Sequence, residues 1–302
     1  MSIPKEFQKG FTPPFQTQDN APGIQHKLDP PPIDTITADG KPYKPAGKLQ
    51  GRHAIITGAD SGIGRAIAIL FALEGAHLTL HGTEKEKEDM KNLEGIIHQK
   101  TSSKTKIHTV ISDLRKEDAC KQLVQHHLDF HGGKLDTLVL NHATQNAVTD
   151  ITQLSSQQWR DTFDTNIHCF FYITKAAVPH LEKATLPTIT FNASINMAIG
   201  HPELLDYTAT KGAVIAFMRA LNNQVLGEKR IRCNAVAPGP IWTPLIPATM
   251  TEDSIKTFGS SVPMGRAGQP VETATCFVFL ASADSSYISG QVLHVNGGVV
   301  IN

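Results

Sequence analysis

Residues 54–64 read Ala54-Ile55-Ile56-Thr57-Gly58-Ala59-Asp60-Ser61-Gly62-Ile63-Gly64, and they run directly into Arg65-Ala66-Ile67-Ala68-Ile69-Leu70-Phe71-Ala72. The apolar opening predicts a buried strand, the glycines a turn, and the helical spacing of the apolar residues after them a helix. That order matters. Glycines at such a junction let the backbone approach a pyrophosphate closely, and the helix start presents free N–H groups and the positive end of its dipole. The spacing is Gly-x-x-x-Gly-x-Gly rather than Gly-x-Gly-x-x-Gly, so the dinucleotide fingerprint is matched in mechanism and not in letters. Taken alone, the stretch also fits an ordinary glycine-rich turn.

Working outward, strand and helix patterns alternate along the rest of the chain. Strands are expected at 53–57, 77–81, 106–111, 136–141, 187–193, 231–236 and 291–295. Helices are expected at 62–74, 84–100, 116–131, 156–182, 205–227 and 270–281. Such alternation predicts an α/β fold, a doubly wound parallel sheet with helices on both faces. A chain of 302 residues that is 40% apolar can bury one full core, so residues 49–302 are expected to form a single domain. Residues 1–48 differ. They hold half of the eighteen prolines, including Pro30-Pro31-Pro32, and lack apolar periodicity, which favours an extended arm. Phe7, Phe11, Phe15 and Tyr43 predict that the arm docks on a surface, that of a neighbouring subunit included.

Tyr207-Thr208-Ala209-Thr210-Lys211 supplies the chemistry. A tyrosine and a lysine four apart share a helix face, and a nearby cation favours the phenolate. The pair is common by chance. Ser194 stands thirteen residues earlier, at a strand end, and Asn166 lies further upstream. Strand ends at the carboxyl edge of an open sheet are where ligands bind.

With these elements in place, the chain resembles the short-chain dehydrogenase/reductases over residues 49–298, and specifically their N-terminally extended, glucose/ribitol-dehydrogenase-like branch. The resemblance implies a Rossmann-type fold and an NAD(P)-dependent oxidoreductase acting on a ketone, aldehyde or secondary alcohol. Asn166, Ser194, Tyr207 and Lys211 match the family's catalytic residues. Gly58, Asp60, Ser61, Gly62, Ile63 and Gly64 match its cofactor loop, Asp113 and Leu114 its adenine-side contact, and Asn141 the turn beside the central sheet. Pro238, Gly239, Ile241 and Thr243 match the loop that holds the nicotinamide carboxamide, with Tyr207 and Lys211 also touching cofactor. Residues 241–260 would form a lid. Family members commonly assemble through the equivalents of helices 156–182 and 205–227, which implies a homotetramer, or else a dimer. One stretch departs from the pattern: Asn141-His142-Ala143-Thr144 stands where the family has Asn-Asn-Ala-Gly.

The second strand ends Leu80-His81-Gly82-Thr83, with no acid before Glu84. A carboxylate there would bind a ribose 2′-hydroxyl and repel a 2′-phosphate, so its absence favours NADP over NAD, with NAD still possible. Met197, Ile199, Leu204, Trp242, Leu245, Ile246, Met250 and Phe258 suggest an apolar substrate body, and His201 borders the same pocket. The competing reading is a catalytically silent nucleotide-binding regulator or scaffold on the same fold. Retention of Tyr207 and Lys211 argues against it.

Composition removes other classes. Lysines plus arginines equal aspartates plus glutamates at 28 each, so no net field draws the chain to nucleic acid or an anionic membrane. There is no long apolar span or secretory pattern, and a cytoplasmic protein is expected. Cys120, Cys169, Cys233 and Cys276 are widely spaced and fit free thiols. His127 and His131 have the i, i+4 spacing of a metal pair but no evident third ligand, so no metal site is expected.

Overall fold

The structure is a computed structural model that describes residues 3–19, 21–102 and 104–301. The first two residues of the expected arm, its Asn20, and the C-terminal Asn302 lie outside the described residues. Seven parallel strands form one sheet: β1 His53–Thr57, β2 His77–Gly82, β3 Ile107–Ile111, β4 Thr137–Leu140, β5 Thr188–Asn192, β6 Arg232–Pro238 and β7 Val292–Val295. Their order is β3-β2-β1-β4-β5-β6-β7. The reversal between β1 and β4 opens a crevice at their carboxyl ends, with Ile56 opposite Val139 in register.

The helices are α1 Gly62–Leu73, α2 Lys87–Thr101, α3 Glu117–Phe130, α4 Ser156–Phe163, α5 Cys169–Leu181, α6 Asn196–Ile199, α7 Leu205–Lys229, α8 Leu245–Thr249, α9 Glu252–Lys256 and α10 Pro270–Ala281. Two cores explain why the strands are apolar on both sides. Phe71 of α1, Leu93 of α2 and Phe277 of α10 bury against one face. Leu123 of α3, Phe170 of α5 and Met218 of α7 bury against the other. A third, smaller cluster joins Leu28 to Trp242, Ile246, Ile255 and Phe258.

The expected helix 156–182 is not uniform. α4 and α5 are joined by a π-helical turn, Asp164–His168, that carries Asn166. Such turns reorient a side chain without ending the helix, and they cluster at functional sites. α2 likewise begins one 3₁₀ turn late, because Glu86 folds back to accept from the Thr83 N–H at 2.9 Å. The short helices α6, α8 and α9 have too few residues to show a period.

Residues 3–48 run over their own domain. Tyr43 bonds the Glu74 carboxylate, which also accepts from the Ala46 and Lys48 N–H groups. Ile33 exchanges hydrogen bonds with the start of α10, donating to Gln269 Oε1 and accepting from the Val271 N–H. Prolines suit this path because few arm residues join a ladder; Ile36 and Pro42 form a lone bridge.

Candidate active site

The glycine turn begins the site. Gly62 has φ +50°, and a Cβ on Gly64 would run into the Gly58 carbonyl, so neither position admits a side chain without moving backbone. Asn141 locks the turn to β4: its Nδ2 donates to the carbonyls of Thr57 (3.0 Å) and Gly58 (2.9 Å). Asn192, at the end of β5, donates to Asn141 Oδ1 at 2.8 Å. The Asn192 carbonyl in turn accepts from Lys211 Nζ at 2.7 Å. One hydrogen-bonded ladder therefore connects the lysine on α7 to the glycine turn across three strands.

A cavity of 1340 Å³ lies along this edge. That exceeds the usual range for one drug-sized ligand and has room for a dinucleotide and a second molecule. Gly58, Asp60, Ser61, Gly62, Ile63, Gly64, Asp113, Leu114, Asn141, Ser194, Tyr207, Lys211, Pro238, Gly239, Ile241 and Thr243 all line it. Asn166 does not. Its Oδ1 accepts from the Thr144 N–H at 2.8 Å, and its Nδ2 donates to the Thr144 carbonyl (2.8 Å) and Thr210 Oγ1 (3.1 Å). This pair of hydrogen bonds to Thr144 explains how the Asn-His-Ala-Thr variation is accommodated: Thr144 is anchored by its backbone and has no positive φ that glycine would be needed to supply.

Asp206 sets the start of α7. Its carboxylate accepts from Thr162 Oγ1 at 2.7 Å, Gln158 Nε2 at 3.1 Å and the Tyr207 N–H at 2.8 Å, which ties α4 to the turn bearing the tyrosine. Lys211 Nζ sits 5.4 Å from the Tyr207 ring centroid. The expectation that this ammonium draws the phenol down is not met in this geometry. Burial pushes Tyr207 up to about 12, with the Ser194 hydroxyl pulling the other way. Burial also lowers Lys211 to about 7. At neutral pH the tyrosine is a protonated donor and the lysine is close to its own titration.

Two residues assigned to the substrate pocket lie elsewhere. Trp242 is fully buried in the third cluster and its Nε1 donates to the Pro30 carbonyl at 2.9 Å; Met197 packs on the second core. Ile199, Leu204, Leu245, Ile246, Met250 and Phe258 do face the cavity, as does His201, whose Nδ1 accepts from the Glu203 N–H. Sequence reading missed Ala21 and Pro22 of the arm, Gln145 and Asn192, all of which line the cavity. Only Asn192, two residues before Ser194 at a strand end, carried a signal.

The corner beside β2 is more acidic than the strand alone implies. Asp60 and Glu86 both line it, and burial together with Glu86 raises Asp60 to about 7. Elsewhere, His127 is buried as a neutral ring between Thr79 Oγ1 (2.7 Å) and the Lys134 carbonyl (2.9 Å). No group of three or more potential metal ligands occurs among the described residues. Among them, no helix is long and apolar enough to cross a membrane.

A family model described as enoyl-(acyl carrier protein) reductase matches residues 58–300. A glucose and ribitol dehydrogenase homolog of Oryza sativa subsp. japonica is 46% identical over 299 residues, covering 96% of this chain and 98% of that protein. A chloroplastic NADPH-dependent aldehyde reductase 1 of Arabidopsis thaliana is 43% identical, covering 95% and 98%. The crystal structure of a 3-ketoacyl-(acyl-carrier-protein) reductase from Brucella melitensis, complexed with NADH, aligns with a TM-score of 0.74. It is 30% identical and covers 83% of this chain and 98% of that one.

Proposed function

The chain belongs to the short-chain dehydrogenase/reductase family of nicotinamide-dependent oxidoreductases, and on that premise we propose that it reduces an aldehyde or ketone with NADPH. The single observation that carries this reading is the convergence of Ser194, Tyr207 and Lys211 on the same cavity as the glycine turn. The turn fits a dinucleotide: there is no room for a Cβ at Gly64, so a ligand can approach the backbone closely there. Residues 58–64 would hold the pyrophosphate, Asp113 and Leu114 the adenine side, and Pro238, Gly239, Ile241 and Thr243 the carboxamide. Residues 49–302 then act as one domain, with 241–260 as its lid and 1–48 as its arm.

When bound, the nicotinamide supplies a hydride to the carbonyl carbon. Tyr207 donates its phenolic proton to the oxygen as negative charge develops there, and Ser194 donates a hydrogen bond to the same atom. Lys211, fixed by the Asn192 carbonyl, would hold the ribose hydroxyls of the nicotinamide half. The Asn166 amide is spent on Thr144 and Thr210, so its side chain holds the Thr144 loop in place beside the site. The apolar wall from Ile199 to Phe258 suits a substrate with one carbonyl on an apolar body.

NADPH is favoured because β2 itself ends without an acid, because Lys85 lines that corner beside the acids Asp60, Glu84 and Glu86, and because the aldehyde reductase relative is NADPH-dependent. Titration of both reduced cofactors by their fluorescence tests this. Tighter binding of NADPH by several-fold is expected, and equal or reversed affinity would contradict it.

A further inference from the structure

The start of α1 is capped by a residue from the arm. Gln25, buried and thirty-seven positions upstream, accepts the Gly62 N–H on its Oε1 at 3.0 Å. Gly62 is the first residue of the helix, and a first-turn N–H has no partner within the helix itself. Gln25 is in turn held by α2: its own N–H donates to Asp89 Oδ2 at 2.8 Å, and the His26 ring nitrogen Nδ1 pairs with Asp89 Oδ1 at 2.9 Å. One turn into α1, Arg65 pairs with Asp34 at 2.9 Å.

The same segment grips the opposite wall. Gly23 presses on Pro244 so closely that a Cβ would run into the Pro244 carbonyl. The Gln18 N–H donates to the Pro247 carbonyl at 3.0 Å, and Trp242 donates to Pro30. Between these anchors Ala21 and Pro22 line the cavity. The arm therefore spans from the phosphate-facing helix to the loop that follows Thr243.

We propose that the arm is a working part of the dinucleotide site, with Gln25 as a positioning residue that fixes the Gly62 end of α1 and so sets cofactor affinity. This rests on the dinucleotide-dependent reading above. One donor is left unpaired when Gln25 loses its acceptor: the Gly62 N–H must find water or shift, and the helix start then moves relative to the pyrophosphate. The loss falls on cofactor binding, because Tyr207 and Ser194 are held from α7 and β5.

The test uses the full-length chain, with NADPH as the probe. Gln25→Met should raise the NADPH Kd and KM by roughly ten-fold, the effect of one buried hydrogen bond. Its kcat at saturation should stay within about two-fold. Hydrogen exchange in the peptide covering 58–66 should quicken without nucleotide. Gln25→Glu keeps the acceptor, so it should restore slow exchange there, while its charge near the helix start weakens NADPH binding in a salt-sensitive way. Tyr43→Phe, which loosens the arm away from the cavity, should lower the Tm with the Kd unchanged. A wild-type chain that bound neither reduced cofactor would overturn the functional reading and this proposal together. Wild-type binding with unchanged Kd in both Gln25 variants, or a Tyr43→Phe Kd that rose equally, would overturn the arm's role alone.

Discussion

Asp60 shows how a single residue escapes a reading made along the chain. The sequence places it in a turn before a helix, twenty-two residues from the end of β2, whereas folding brings it beside Gly82 in the corner that a ribose would occupy. Burial and the neighbouring Glu86 hold its proton on until about pH 7. The sign follows directly: below that value Asp60 is neutral and tolerates a 2′-phosphate, and above it the carboxylate repels one. The ratio of NADPH to NADH affinity should therefore fall by about three-fold or more from pH 6 to pH 8. Asp60→Asn should flatten the fall. Paired Kd titrations across that range check this, and a variant with the same slope as wild type would remove Asp60 from the account. Ser194, Tyr207 and Lys211 could be singled out because together they match a family pattern, although the Tyr–Lys spacing alone is common by chance. Gln25 and Asp206 were not, because a glutamine or an aspartate signals nothing until its distant partner is known.

At the scale of elements, every expected strand is present with its ends shifted by no more than two residues, because each is a short apolar run bounded by turn residues. The helix through 156–181 was legible in extent and not in form. Its π turn is fixed by Asn166 bonding Thr144, a contact twenty-two residues away that no helical period reveals. That contact predicts a cost. Asn166→Ala would strand the Thr144 N–H and carbonyl, while the Thr210 hydroxyl keeps its bond to the Tyr207 carbonyl, and should destabilise the fold by about 2 kcal/mol in urea unfolding. A change under about 0.5 kcal/mol would mean that the turn holds without the side chain. The proposed lid reads along the chain as an apolar loop with prolines, but α8 and α9 within it are only five residues each, and the core role of Trp242 depends on an arm more than two hundred residues away.

For the whole molecule, the resemblance implies assembly through helices 156–182 and 205–227, which requires apolar surface on those helices. Much of that surface is used internally: Phe170, Ile173, Val214, Met218 and Leu221 lie in the chain's own core. What remains outside is a smaller patch, in which Phe171 is 45% exposed and meets Phe217 edge-on. The proposed tetramer rests on this remainder. Sedimentation should show Phe171→Glu shifted to smaller species with turnover per site preserved, and a fully active wild-type monomer would contradict the assembly. The central claim is that the molecule is a carbonyl reductase in which Tyr207 is the acid. It is tested most directly by following NADPH oxidation on a panel of aldehydes and ketones for wild type and Tyr207→Phe, with NADPH binding measured in parallel. The account predicts wild-type turnover on at least one carbonyl, a loss of at least about a thousand-fold in the variant, and NADPH affinity within a few-fold of wild type. A variant that kept most of the rate, or a wild type that bound NADPH and reduced nothing on the panel, would contradict it.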